Sequence, residues 1–149
     1  MVALPEVLLD LNDSLLRALA AAPELLRGID PHLFERVIAE IFRKFQMRVE
    51  LTKRTRDGGV DIFAFEDTQY TRNRYIIECK HYSPDRKVGL QIVQRLYGVK
   101  ASLRVTKAFL VTSSHFSRDA IKFARQHIWE LELKDHSDVV AWLKRFWKS

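Results

Sequence analysis

The sequence predicts a single α/β domain in which helices flank a central mixed β-sheet. A strongly amphipathic helix comes first, three strand-like segments joined by turns follow it, and helices then alternate with short strands to the end. Such alternation predicts parallel strands joined by right-handed crossovers, which extend the early strands into a mixed sheet. The 149 residues, 47% of them hydrophobic, suffice for one compact domain with its own core.

The first core helix has a clear start at Asp30-Pro31, where an N-cap acid precedes a proline at the first helical position. We expect it to run to about Gln46. Glu35 lies at the margin of the apolar stripe, so its side chain should project along the edge of the core. The residues of that stripe recur at a helical period: Phe34, Val37, Ile38, Ile41, Phe42 and Phe45.

The segment before this helix is rich in Leu and Ala and predicts one or two short helices that end at Gly28. We therefore divide the chain into an N-terminal helical arm, residues 1–28, and a main domain, residues 29–149. The composition of the arm suggests dimerisation or docking onto a partner protein.

The remaining elements follow from period-two alternation, turn residues and helical periodicity. Strands are expected at 47–51, 60–65 and 75–80, with a turn at 54–59, a polar basic loop at 67–73 and an antiparallel arrangement. A helix at 89–103, a strand at 108–111, a helix at 117–127, a strand at 131–133 and a helix from 137 complete the order.

Composition restricts the environment and the partners. The 25 Lys and Arg residues exceed the 19 Asp and Glu residues, and the formal charge of +6 favours polyanionic partners. The single cysteine, Cys79, excludes an internal disulfide and a thiolate zinc cage and suits a reducing, cytoplasmic location. Because the N-terminus lacks a basic secretory opening and no apolar run has bilayer length, we do not expect a membrane protein.

Three charged residues on two neighbouring strands form the candidate site. Glu78 and Lys80 are two positions apart and share a strand face, whereas Cys79 points away. Asp61 lies on the preceding strand, and its carboxylate would meet that of Glu78 if the two strands pair. The alternative is a simple ion pair on an edge strand. We disfavour it, because the apolar residues at 75–77 indicate a largely buried strand.

Two adjacent carboxylates repel each other unless a hard divalent cation lies between them. Mg²⁺, with Mn²⁺ as a substitute, fits oxygen donors, and the Cys79 carbonyl could supply a further oxygen. Such an ion activates a phosphate and a bound water, while the Lys80 ammonium could orient that water and stabilise the transition state. The three residues thus predict hydrolysis of a phosphodiester.

Five segments resemble the Mrr-type restriction endonuclease catalytic domain of the PD-(D/E)xK nuclease superfamily. They are HLFERVIAEIF (32–42), DGGVDIFAF (57–65), YIIECKHY (75–82), VGLQIVQRLYGVKA (88–101) and AFLVTSSHFSRDAIKFA (108–124). The resemblance covers roughly residues 30–143 and implies a restriction-endonuclease-like three-layer fold with the central mixed β-sheet flanked by helices. Residues 29–149 would then be an Mrr-like nuclease catalytic domain.

The resemblance also implies a role for each matching residue. Asp61 and Glu78 would be metal ligands, Lys80 the catalytic lysine, Glu35 the acid of the first core helix, and Gln94 a polar site residue on the following helix. The sequence departs from the family pattern at two positions. Val60 precedes Asp61 where the family pattern has a proline, and His81 stands where Mrr-like domains often carry arginine.

Basic residues around the site could bind DNA phosphates, although an ordinary solvated surface would also carry them. The candidates are Lys53, Arg54, Arg56, Arg72, Arg74, His81, Arg86 and Lys87.

These observations predict a Mg²⁺-dependent deoxyribonuclease that cuts double-stranded DNA, in restriction or anti-phage defence. Mrr-like domains usually accompany a DNA-recognition domain, so we expect a homodimer or a partner protein to supply target recognition. Two alternatives stay open: a structure-selective nuclease such as a junction resolvase, and a noncatalytic DNA-binding subunit of a larger assembly.

Overall fold

The computed structural model describes residues 13–52 and 59–148, which form a five-stranded sheet between two layers of helices. The described part of α1 covers residues 13–21, and a 3-10 helix follows it at Pro23–Gly28. The other helices are α2 (Pro31–Lys44), α3 (Leu90–Leu103), α4 (Arg118–Gln126) and α5 (His136–Trp147). The strands are β1 (Arg48–Leu51), β2 (Ile62–Asp67), β3 (Arg72–Lys80), β4 (Lys107–Thr112) and β5 (Leu131–Lys134).

The sheet is mixed, as predicted, and its strands lie in sequence order from β1 to β5. Strands β1, β2 and β3 pair antiparallel, whereas β4 and β5 join in parallel. At the centre of the sheet Ile77 of β3 pairs with Ile62 on one side and with Phe109 on the other. The direction of pairing therefore changes at β3, the strand that carries the candidate site.

Side chains that alternate along the strands fill two separate cores. Ile62, Ala64 and Ile77 pack with α1, α2 and α5 on one face. Ile76 and Leu110 pack with α3 and α4 on the other face. Both faces of the sheet are thus covered, and the predicted three-layer fold is confirmed.

Most helix boundaries lie where the sequence placed them, because capping residues fix them. Asp30 accepts a hydrogen bond from the Leu33 N–H at 2.7 Å, and Ser117 caps α4 in the same way. The last helix begins one residue earlier than predicted, after Asp135. Asp135 and Asp138 form a capping box, in which the side chain of each accepts a hydrogen bond from the backbone N–H of the other.

The polar loop predicted at 67–73 is shorter than expected. Strand β3 begins at Arg72, and Thr68 and Thr71 close a tight turn through a hydrogen bond between their backbones of 2.9 Å. Cross-strand contacts explain the extension, since the Tyr75 hydroxyl donates to the Glu66 carboxylate at 2.9 Å. Most of the turn predicted at 54–59 lies outside the described residues.

The described part of the N-terminal arm packs into the first core. Leu16, Leu19 and Leu26 are fully buried there, and the Trp147 indole N–H of α5 donates to the Asp13 carboxylate at 3.1 Å. Residues 13–28 thus share a core with the main domain, although the division at residue 28 stays a prediction. In the part of the chain that the structure describes, no helix combines the length and the apolar character needed to cross a bilayer.

Two adjacent leucines of the 3-10 helix test whether the arm stabilises the domain. Leu26 is fully buried and Leu25 is 51% exposed. We expect Leu26→Ala to lower the free energy of unfolding by about 2–5 kcal/mol, because it leaves a cavity, and Leu25→Ala by less than about 0.5 kcal/mol. Urea denaturation followed by circular dichroism measures both. Equal small effects would show that the arm contributes little to the core.

Candidate active site

The candidate site lies where β2 begins and β3 ends. The pairing of Ile62 with Ile77 brings the preceding residue, Asp61, to the part of β3 that holds Glu78. The Asp61 carboxylate accepts a hydrogen bond from the Cys79 N–H at 2.7 Å, and the Asp61 N–H donates to the Ile77 carbonyl at 2.9 Å. The backbone of β3 therefore fixes the Asp61 side chain in place.

Glu78 is a fully buried carboxylate held by two cationic side chains. The Lys80 ammonium lies 3.2 Å from Glu78 Oε2, and the Arg95 guanidinium of α3 donates to the same oxygen at 2.7 Å. The prediction that Glu78 and Lys80 share a strand face is confirmed. The other oxygen, Oε1, is buried and accepts no hydrogen bond from the described residues.

Burial outweighs the nearby positive charges in its effect on the pKa of Glu78. Burial raises the pKa of the Glu78 carboxyl above its ordinary value, and the nearby Asp61 carboxylate raises it further. The positive charges of Lys80 and Arg95 lower that pKa but do not offset the loss of solvation. An ionised Glu78 is thus unfavourable in this position, and an added cation would relieve this cost.

A third carboxylate approaches from α2. The Glu35 side chain is 17% exposed, and its Oε1 lies 3.7 Å from His32 Nδ1. The pKa of the Cys79 thiol is raised well above its ordinary value, first by burial and then by the carboxylates of Asp61, Glu35 and Glu78. All three predicted acids are therefore near enough to residue 79 for their charges to act on its thiol.

Gly59 is a site residue that sequence reasoning treated only as part of a turn. Its φ of 82° lies in the left-handed region, and a Cβ placed there would lie 2.9 Å from both Cδ and Oε2 of Glu78. The backbone at residue 59 therefore covers the Glu78 carboxylate so closely that a side chain would not fit. The adjacent Gly58 lies outside the described residues.

The donor chemistry of the site fits a hard cation. Asp61, Glu78 and the Cys79 carbonyl offer oxygen atoms, and the buried Oε1 of Glu78 is an acceptor that lacks a partner among the described residues. Within residues 13–52 and 59–148, no group of three or more His, Cys, Asp or Glu side chains is arranged to hold a metal ion. Two carboxylates completed by water and substrate phosphate are typical of Mg²⁺ rather than of a zinc site.

Gln94 and Arg95 are adjacent on α3, but only Arg95 has a described contact with Glu78. Gln94, predicted from the family resemblance, is exposed, and its role stays a prediction. Arg95, one residue later, contacts Glu78 directly. Sequence reasoning missed Arg95, because only the packing of α3 against the sheet brings its guanidinium over the end of β3.

The predicted DNA-binding residues that the structure describes do not form a single cluster. Arg72 and Arg74 lie at the start of β3, six to eight residues before Lys80, which is about 20–26 Å at ~3.3 Å per residue. Arg86 and Lys87 are exposed on the loop 81–88 that follows β3, and the Arg86 guanidinium lies 3.8 Å from the Tyr82 ring centroid. Lys53, Arg54 and Arg56 lie outside the described residues.

His81 faces the protein interior rather than an open surface. Its Nε2 lies 3.1 Å from the Leu26 carbonyl oxygen, and its ring packs edge-on against Phe34 with centroids 5.2 Å apart. These contacts tie the end of β3 to the N-terminal arm. They give His81 a structural position that the sequence did not predict.

Two buried serines hold the loop 81–88 beside the site. Ser113 Oγ accepts from the Tyr82 N–H at 3.0 Å and donates to the Tyr82 carbonyl at 2.9 Å. Ser114 Oγ donates to the Arg86 carbonyl at 2.7 Å. The N-cap of α4 is the nearby Ser117, whose side chain accepts a hydrogen bond from the Ala120 N–H.

A family model decides the relationship of this chain. The model of the Mrr catalytic domain, described as "Restriction endonuclease", matches residues 26–143. The chain belongs to this family. The resemblance read from the five sequence segments is therefore confirmed.

Individual relatives of this Mrr-type domain are distant in sequence. The uncharacterized protein y4cE of Sinorhizobium fredii is 27% identical over 116 residues, which are 78% of this chain and 30% of that protein. The DNA modification-dependent restriction endonuclease AspBHI aligns with a TM-score of 0.70 at 24% identity, over 89% of this chain and 35% of AspBHI.

A second solved structure, MspJI restriction endonuclease in complex with a 27-mer oligonucleotide, aligns with a TM-score of 0.55 at 23% identity. The alignment covers 90% of this chain and 30% of MspJI. The Mrr-type domain thus spans about a third of the length of these relatives. At these identities the two structures establish a shared fold.

Replacing Gly59 tests the close approach of the backbone to Glu78. We expect Gly59→Ala to destabilise the domain by about 1–3 kcal/mol, because the positive φ and the contact with the carboxylate are both unfavourable. The matched control is Gly98→Ala on α3, where a Cβ meets nothing within 4 Å and where alanine should stabilise the helix by about 0.5–1 kcal/mol. Thermal unfolding of both variants measures the difference; a harmless Gly59→Ala would contradict the geometry.

The cost of burying the Glu78 charge predicts a pH-dependent effect. At pH 7 without metal, we expect Glu78→Gln to stabilise the domain by about 0.5–2 kcal/mol, since the variant removes a poorly solvated carboxylate. The raised pKa of Glu78 means that the folded protein holds this proton more tightly than the unfolded chain. The free energy of unfolding of the wild type, relative to that of the variant, should therefore increase as the pH falls from the raised pKa of Glu78 to the ordinary pKa of a glutamate.

Urea denaturation of both proteins at pH 7, 6 and 5 in EDTA measures this difference. Subtracting the two curves removes the contributions of titrating groups that do not interact with Glu78. A wild-type protein that is more stable than Glu78→Gln at pH 7, with a margin that shrinks on acidification, would show that Lys80 and Arg95 outweigh burial.

Proposed function

We propose that this Mrr-type domain is a Mg²⁺-dependent endonuclease that hydrolyses phosphodiester bonds in double-stranded DNA. The observation that supports it most is the arrangement at the end of β3. There a fully buried Glu78 carboxylate, one oxygen of which has no hydrogen-bond partner among the described residues, lies beside the Asp61 carboxylate and the Lys80 ammonium. A structural ion pair alone would not require two acids to share such a place.

Asp61, Glu78 and the Cys79 carbonyl would hold the ion. A Mg²⁺ ion held there would supply Lewis-acid chemistry: it would polarise the phosphate, lower the pKa of a coordinated water and neutralise charge on the leaving oxygen. The Cys79 N–H orients Asp61 through its 2.7 Å hydrogen bond, so this ligand is positioned before any ion arrives. The Glu35 carboxylate, whose charge acts on the Cys79 thiol, adds negative charge near this end of β3.

Lys80 is the side chain that supplies positive charge to the reacting phosphate. Its side chain is 26% exposed, so the ammonium contacts Glu78 while it stays accessible to water and substrate. At this position Lys80 Nζ can donate a hydrogen bond to the attacking water and stabilise the extra negative charge on the phosphate. The Glu78 carboxylate in turn restricts where that ammonium can lie.

Duplex DNA is the substrate that charge and relatives favour. The formal charge of the chain is +6, and Arg86 and Lys87 are exposed on the loop that follows β3. MspJI, which shares the fold, is described in complex with an oligonucleotide. AspBHI is described as a modification-dependent restriction endonuclease, which favours a role in restriction or anti-phage defence.

Plasmid cleavage with Mg²⁺ tests the site. We expect Asp61→Asn, Glu78→Gln and Lys80→Met each to lose about 100-fold or more in rate, because the three groups act together on one phosphate. The control is Glu132→Gln, which opens another acid–lysine pair of the same sheet, with Lys107 at 2.8 Å. Full activity in the three site variants, or equal loss in the control, would contradict the assignment.

The choice of DNA substrate separates the remaining functions. Linear duplex, methylated duplex and a four-way junction are incubated with the wild-type protein in Mg²⁺ and in Mn²⁺. Cleavage of duplexes supports the proposed restriction role, and cleavage confined to the junction would indicate a resolvase. Binding without cleavage under every condition would indicate a noncatalytic DNA-binding subunit.

A further inference from the structure

The cations around Glu78 differ in how firmly the fold holds them. The Glu78 side chain is 1% exposed, that of Lys80 26% and that of Arg95 50%. Lys80 is on the same strand as Glu78, whereas Arg95 reaches the carboxylate from α3 across the layer boundary. Arg95 therefore contacts the buried carboxylate from its solvent-exposed side.

Both cations use the same oxygen of Glu78. Arg95 Nη2 lies 2.7 Å from Oε2 and Lys80 Nζ lies 3.2 Å from it, while Oε1 is buried without a hydrogen-bond partner among the described residues. A divalent ion that binds Oε1 would bring two further positive charges next to these side chains. Like charges at this distance in a poorly solvated place repel strongly.

We propose that Arg95 is a displaceable cation that holds Glu78 in the metal-free domain and leaves it when a divalent ion binds. The freed guanidinium then contacts a phosphate of the DNA. This inference rests on the proposed function, because it takes Glu78 as a ligand of the ion and DNA as the substrate.

Arg95 is the side chain that moves because its release costs least. Half of its surface is already in water, so the guanidinium is readily hydrated once the ion pair opens. Lys80 is more enclosed and has the catalytic position on β3. A guanidinium also binds a phosphate through two parallel hydrogen bonds, which makes DNA a good second partner for Arg95.

The consequence is a linkage between metal binding and DNA binding. An ion that displaces Arg95 makes this residue available to the phosphate, and a phosphate that attracts Arg95 makes Glu78 available to the ion. By thermodynamic reciprocity each ligand then strengthens the binding of the other by the same factor. Without Arg95 this part of the coupling disappears.

Mn²⁺ binding to the protein alone provides the first test. The electron paramagnetic resonance signal of free Mn²⁺ is titrated with wild type, Arg95→Gln, Arg95→Lys and the control Arg125→Gln, which removes an exposed charge on α4. We expect Arg95→Gln to bind Mn²⁺ about 5-fold more tightly or better, Arg95→Lys to lie between it and wild type, and the control to match wild type. Unchanged or weaker binding by folded Arg95→Gln would overturn the proposal, as would an equal gain in Arg125→Gln.

DNA binding provides the second test. Fluorescence anisotropy of a labelled duplex is measured in EDTA and in Ca²⁺, another cation that prefers oxygen ligands, and gels verify that the duplex stays intact. We expect the gain in affinity on adding Ca²⁺ to be at least threefold larger for wild type than for Arg95→Gln. Equal gains in the two proteins would show that Arg95 does not couple the ligands.

Two further titrations separate this inference from the function on which it rests. If Asp61→Asn and Glu78→Gln bind Mn²⁺ as well as wild type does, the proposed metal site is wrong and the role of Arg95 falls with it. If both lose Mn²⁺ binding while Arg95→Gln resembles wild type, the metal site stands and only the role of Arg95 is refuted.

Discussion

The organisation of this domain depends on one group that is unfavourable to bury, the carboxylate of Glu78. Burial alone would favour the neutral acid, so the fold surrounds this group with Lys80 and Arg95 and brings the Gly59 backbone against it. Asp61 increases the cost, because its negative charge lies close by. A fold built for stability alone would not place two acids together here, and this unfavourable arrangement supports the proposed active site.

The sheet topology makes this arrangement possible. Strand β3 pairs antiparallel with β2 and parallel with β4, so the end of β3 lies beside the start of β2 and just before the crossover to α3. Residues from both neighbouring elements can therefore reach Glu78, Asp61 from the start of β2 and Arg95 from the helix. The same strand end carries the loop 81–88, which Ser113 and Ser114 hold from the end of β4.

Different charged residues reach the end of β3 from the two sides of the sheet. Cys79 faces the core of α2 and α5, from which Glu35 approaches, whereas Glu78 and Lys80 face the side of α3. Negative charge thus reaches the end of β3 from both layers. Since His81 packs on Phe34 and the N-terminal arm, the scaffold around this strand end is anchored to the first core.

The sequence by itself determined the order of the elements, the mixed sheet and the shared face of Glu78 and Lys80, because these depend on periodicity, capping residues and turns within short segments. Only the tertiary structure decided which residues surround Glu78. Arg95 is seventeen positions away along the chain and Gly59 nineteen, and no local pattern links either to this carboxylate. Their contacts arise from how α3 and the start of β2 pack on β3, which is a property of the assembled layers and not of any one segment.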